Sequence, residues 1–133
     1  MKTQNLTKSF RVGSIVLATE QGLGYLAKAF YDNGIIDTVY VQKHTTRDNH
    51  FEWYPDRVRN IDELLDCNVL IFFEEVFDWK ILAKARELGI KTILMPMYEC
   101  SRFPLPYKPD EVWCPSDLDY DVYKKLYPQD EVV

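Results

Sequence analysis

The 133-residue chain carries 16 Lys and Arg against 21 Asp and Glu, for a net charge of -5. That length admits a single domain, 1–133, which hides roughly two thirds of its unfolded surface and needs no metal or disulfide staple. Hydrophobic residues at 47% beside charged residues at 28% exclude a disordered chain, and no apolar run approaches the roughly 20 residues of a membrane span.

Nine Tyr, seven Phe and three Trp would suit base stacking, but nucleic-acid binders pair such rings with a basic stripe, and here Lys and Arg are scattered over an acidic chain. No nucleic-acid partner is expected. Met1 to Asn5 opens no apolar run before a small-residue cleavage site, so the chain reads as cytoplasmic. Cys67, Cys100 and Cys114 lie far apart and form no Cys-x-x-Cys pair, with His44 and His50 in another segment. The expectation is reduced thiols, no metal and no cofactor.

The elements follow in order. Val12 to Ala18, with Val12, Ile15 and Val16 β-branched, reads as a buried strand. After the loop Thr19 to Gly24, Leu23, Leu26, Ala27 and Phe30 form a helical stripe that stops at Asn33-Gly34. Ile35 to Gln42 is the second strand. Asn60 with Glu63 three residues on is a capping box that announces a short helix through Leu64 and Leu65. Asn68 to Phe73 is apolar on both faces, as a strand in a covered parallel sheet should be. Asp78 caps a helix carrying Ile81, Leu82, Ala85 and Leu88, which Gly89 ends. Ile90 to Met95 is the fourth strand and Glu111 to Cys114 a short fifth. Ser116 caps the last helix, through Leu118, Val122 and Leu126, up to Pro128.

This alternation predicts an α/β fold, a Rossmann-like three-layer α/β/α arrangement with a right-handed parallel sheet of about five strands. Glu131-Val132-Val133 reads either as the opening of another strand, and so as part of a longer protein or a domain without its usual continuation, or as a frayed C-terminal tail.

In open parallel sheets, ligands sit beyond the carboxyl ends of the strands, where strand order reverses. The loops there are Thr19 to Gly24, Lys43 to Asn60, Glu74 to Phe77, Pro96 to Asp110 and Pro115 to Asp117. Gly22-Leu23-Gly24-Tyr25-Leu26-Ala27 matches the G-x-G-x-x-A pattern, in which backbone amides at a helix N-terminus face a phosphate. A dinucleotide site is disfavoured: three residues separate the strand from the first glycine, and Gln42 and Lys43 stand where an acid should meet a ribose. The other readings are glycines that allow a tight turn and a loop that brings its backbone to a ligand.

The long segment Lys43 to Asn60 carries His44, Arg47, His50, Trp53, Tyr54 and Arg57, a mixture suited to a polyhydroxylated ligand such as a sugar or to an irregular surface loop. Glu74 and Glu75 close the third strand, and Tyr98-Glu99 follow the fourth. These acids either hydrogen-bond a ligand in the crevice or, for Glu74 and Glu75, cap nearby helices. No catalytic residue can be assigned from spacing.

The glycine-bearing loop Glu20-Gln21-Gly22-Leu23-Gly24, the stretch Lys91 to Glu99, and Glu111-Val112-Trp113-Cys114-Pro115-Ser116 before a helix together resemble the N-terminal Rossmann-like domain of GT-B class glycosyltransferases. Within that class they are most like the retaining, glycogen-synthase-like group. The resemblance covers nearly the whole chain from Val12. It implies the acceptor-side half of a sugar-transfer enzyme, with Glu20, Gly22, Leu23, Gly24, His44, Glu74, Tyr98, Glu99 and Ser116 at the substrate. A nucleotide-sugar donor and a sugar acceptor would be its partners. Such enzymes hold most of the donor in a second domain, for which 133 residues leave no room, so transfer is expected only with that domain joined. The alternative is a non-catalytic stand-alone binding domain for a nucleotide, sugar or protein. A fragment should expose an apolar face and self-associate as a homo-oligomer. A flavodoxin- or response-regulator-like domain is disfavoured because the first strand lacks clustered acids.

Overall fold

A computed structural model describes residues 10–44, 46–97, 108–126 and 131–133. The expected alternation is present: β1 (Val12–Val16), α1 (Gly22–Asp32), β2 (Thr38–Val41), β3 (Val69–Glu74), α2 (Trp79–Glu87), β4 (Lys91–Pro96), β5 (Glu111–Val112), α3 (Asp117–Leu126) and β6 (Glu131–Val132). All strand pairs are parallel, in the order β2-β1-β3-β4-β5-β6. The fold is a Rossmann-like α/β sheet. Residues 131–132, read as an opening strand, form the two-residue β6 beside β5.

The sheet divides the core in two. Val12, Val16, Ile71, Phe73, Ile93 and Met95 pack with Leu23, Ala27 and Tyr31 of α1. Ile15, Leu70, Phe72 and Leu94 face the other way, onto Ile81, Leu82 and Ala85 of α2 and Tyr123 of α3. Because successive strand residues point to opposite faces, a strand covered on both sides must be apolar throughout, which is why β3 reads Val-Leu-Ile-Phe-Phe. The buried Ser14 hydroxyl is satisfied across the sheet by donating to the Ile71 carbonyl at 2.9 Å.

Helix ends follow the sequence closely. Asp78 Oδ1 accepts the Lys80 amide at 3.0 Å, and both halves of the Asn60–Glu63 capping box form. That box opens a 3₁₀ segment, Ile61–Asp66, rather than an α-helix. The second strand starts three residues later than its apolar run suggests. Gly34, at φ 76°, turns the chain so that the Ile35 amide bonds the Phe30 carbonyl and the Gly34 amide bonds that of Tyr31. This is a Schellman closure of α1, and it claims Ile35 and Ile36 for the helix end.

The junction of β4 and β5 carries a pH dependence. Glu111 accepts from Lys91 and, at 2.7 Å, from Trp113 Nε1. Those two partners, Lys91 first, hold its carboxyl below the usual carboxylate range. A lowered folded value stabilises the protein above the unfolded pKa of about 4.3, and the contribution disappears as pH falls below it. Glu111→Gln should therefore lower stability at neutral pH and flatten its fall in acid, a difference visible in urea melts across that range.

Candidate functional site

Strand order reverses around β1, which lies between β2 and β3. The crevice at a doubly wound sheet's switch point is thus framed by the segment after β1 and the end of β3. Gln21 is the N-cap of α1, in extended conformation, but its side chain does not cap the helix. It donates instead to Glu74 Oε1 across the switch point. The first turn of α1 holds no acid, so its positive end has neither a capping side chain nor a carboxylate of its own.

Glu74 is a non-glycine residue at φ 73°, a conformation that costs roughly 1 kcal/mol or more. It is buried, and its carbonyl accepts the Met97 amide at 3.0 Å. Its carboxylate reaches the N-cap residue of α1, while Asp78 caps α2.

The two glycines of the loop play different parts. A Cβ on Gly24 would lie 2.1 Å from the Thr19 carbonyl oxygen, so this glycine lets α1 press against the end of β1. Gly22 is exposed, and a Cβ there would meet nothing within 4 Å. Leu23, between them, is a core residue on α1. The side chain facing Gly24, Thr19, has a buried hydroxyl with no hydrogen-bond partner among the described residues.

The 43–60 segment supplies the second wall. The His50 amide bonds the Ala18 carbonyl at 2.7 Å, tying this segment to the end of β1. The His50 ring stacks on Trp53 with centroids 4.8 Å apart and planes 10° apart, and Trp53 stacks on Tyr25 of α1 at 5.8 Å. Three rings therefore line up beside the first turn of α1, and Tyr25 is 53% exposed. Glu20 Oε1 lies 3.7 Å from His50 Nε2, and Glu52 Oε1 lies 3.1 Å from His50 Nδ1. Glu52's own amide and then the His50 ring hold the Glu52 carboxyl below its ordinary range.

Of the expected residues, Glu20, Gly22 and Glu74 lie about the end of β1 and the first turn of α1, whereas Leu23 faces the core and Gly24 is pressed against Thr19. His44 has another occupation: its Nδ1 accepts the amides of Thr46 and Arg47, both at 3.1 Å, and its hydrogen bonds stay within residues 44–49. Ser116 caps α3, accepting the Asp119 amide at 3.2 Å and donating to Asp119 Oδ2 at 2.7 Å, two strands along the sheet from β3. Tyr98 and Glu99 lie outside the described residues. Tyr25, Gln21 and Trp53 join the site through the fold. The aromatic richness of 43–60 pointed toward Trp53, but its pairing with Tyr25 had no signal along the chain.

Burial raises the thiol of Cys67, and burial followed by the charge of Asp119 pushes that of Cys114 up to about 11. Neither cysteine offers a thiolate nucleophile at neutral pH. Among the described residues, no three His, Cys, Asp or Glu side chains group as a metal site, and no helix is long and apolar enough to cross a membrane.

Comparison with protein-family models, with curated proteins and with solved structures finds no match to this chain. The Rossmann-like shape is therefore established without a family assignment, and the functional reading rests on the crevice.

Proposed function

We propose that this domain binds a sugar-bearing ligand in the crevice between β1 and β3, as the acceptor-side half of a glycosyltransferase that needs a second domain for transfer. The observation that carries this reading is the Tyr25–Trp53–His50 stack beside the open first turn of α1. Aromatic faces bury the apolar C–H surface of a sugar or stack on a base, and a helix N-terminus favours a phosphate. A nucleotide-sugar has all three parts. The glycine-loop and Pro-Ser motifs that resemble GT-B enzymes agree with that ligand class.

A binding domain without chemistry is the second reading. One observation favours it: the crevice acids Glu20 and Glu74 are each engaged, with His50 and with Gln21.

Thermal unfolding against nucleotides, nucleotide-sugars and simple glycans tests the proposal. A ligand at a hundredfold its dissociation constant should add about 2.7 kcal/mol, a shift of several degrees. Tyr25→Ala should weaken that ligand about tenfold or more, as loss of one stacking face does, and because that ring is largely exposed the melting temperature should change little. A nucleotide-sugar response would favour the transferase half, and a response to free glycans or nucleotides alone the binding domain. Silence across the whole panel would overturn ligand binding in this crevice and leave, of the second reading, only a protein partner.

A further inference from the structure

A second feature lies at the edge of the sheet, between β2 and the 51–59 segment. A cleft of about 390 Å³ opens along the edge strand β2, with Tyr40, Gln42, Lys43, Phe51, Arg57 and Arg59 on its walls. It holds three cationic side chains and no carboxylate, in a chain whose net charge is -5.

Elsewhere the protein matches charge locally, as in Lys28–Asp32, Arg11–Asp66, Arg86–Asp110 and Lys91–Glu111. In the cleft, Lys43 and Arg59 are exposed and make no ion pair among the described residues. Glu52, which feels the charge of Arg57, is hydrogen-bonded to His50 and does not line the cleft.

Arg57 is held in place rather than neutralised. Its Nη1 donates to the carbonyls of Phe51 at 3.0 Å and Tyr54 at 3.2 Å, and its guanidinium carbon sits 5.2 Å from the centre of the Phe51 ring. The remaining N–H groups of a guanidinium fixed in this way are pre-organised donors for a planar or tetrahedral oxyanion. The Val58 amide bonds the Val39 carbonyl at 2.8 Å, which fastens the 57–59 segment to β2 and keeps Arg57 and Arg59 on the same rim.

We infer that this cleft is a binding site for a phosphorylated small molecule. Lys43 and Arg59, without ion pairs among the described residues, and the positioned Arg57 supply the affinity for the phosphate, and Tyr40 and Phe51 offer ring surface to whatever carries it. The volume falls in the range of small-ligand pockets, whereas the overall acidity opposes an extended polyanion such as a nucleic acid or an anionic membrane. The cleft shares the 50–57 segment with the sugar crevice but is lined by different side chains.

The test titrates the 133-residue chain with inorganic pyrophosphate and with a nucleoside diphosphate at low ionic strength, by calorimetry and by amide chemical shifts. One equivalent should bind saturably, shift the amides of residues 40–43 and 57–59, and weaken as salt is added. Arg59→Gln and Lys43→Gln alter exposed side chains with no ion pair among the described residues, and each should weaken binding about tenfold. Tyr25→Ala, on α1, should leave it unchanged. Phosphate binding lost in Tyr25→Ala, or indifferent to Arg59→Gln and Lys43→Gln, would overturn the assignment. So would no binding of either probe, including the case in which the chain binds RNA or anionic vesicles instead.

Discussion

Gly24→Ala should lower the melting temperature by roughly 10 °C, although the same change at an exposed helix position would be favourable. Alanine gains about 1 kcal/mol over glycine in helix propensity. Here the new methyl would stand 2.1 Å from the Thr19 carbonyl oxygen, a backbone atom that cannot swing aside. Moving α1 off the end of β1 disturbs Leu23, Ala27 and Tyr31, all buried, so a cost of about 3 kcal/mol outweighs the gain. Gly22→Ala is the control. It has open space and sits at the first helical position, so its melting temperature should be unchanged or slightly raised. Equal losses in the two variants would show that backbone freedom, not the contact with Thr19, is what the loop requires.

Phe72→Ala and Phe73→Ala should each remove about 3–5 kcal/mol, since both rings are almost wholly buried in β3. Their consequences for the crevice should differ. Phe72 points into the layer of α2 and α3, and Phe73 into the layer of α1, edge-on to Phe30 with centroids 5.9 Å apart. Where enough protein stays folded, Phe72→Ala should bind the crevice ligand nearly as the parent does. Phe73→Ala should bind it more weakly, because α1 carries Tyr25 and the open helix end. Denaturant melts give the stability loss, and ligand titration well below the melting temperature gives the affinity. Identical affinity losses would mean that the two faces of the sheet do not act separately.

These contrasts mark what was legible along the chain. Apolar runs covered on both faces announced a parallel sheet. Asn60 with Glu63, Asp78, and Ser116 announced helix starts, because capping is chemistry among near neighbours. The run from residue 35 overstated the second strand, since apolar character cannot tell a strand from the closing turn of a helix. The candidate site was half legible. Gly22 and Gly24 looked alike in sequence and part company only where Thr19 folds back over one of them. Glu74 was marked as a crevice acid, but its left-handed backbone and its engagement with Gln21 arise from the meeting of β1 and β3. The same holds for Tyr25 and Trp53, whose rings meet only in three dimensions.

The Ser14–Ile71 bond joins residues 57 apart in the chain, and Val12 pairs with Asp37 across only 25. Loop closure must be completed before such distant pairings return any free energy, so parallel sheets of this kind assemble slowly compared with helical bundles. β1 and β2 can find each other while the middle of the chain is still unstructured, but the crevice has no second wall until β3 docks. During refolding, ligand binding should accordingly return with the final cooperative step, however early helical signal is regained.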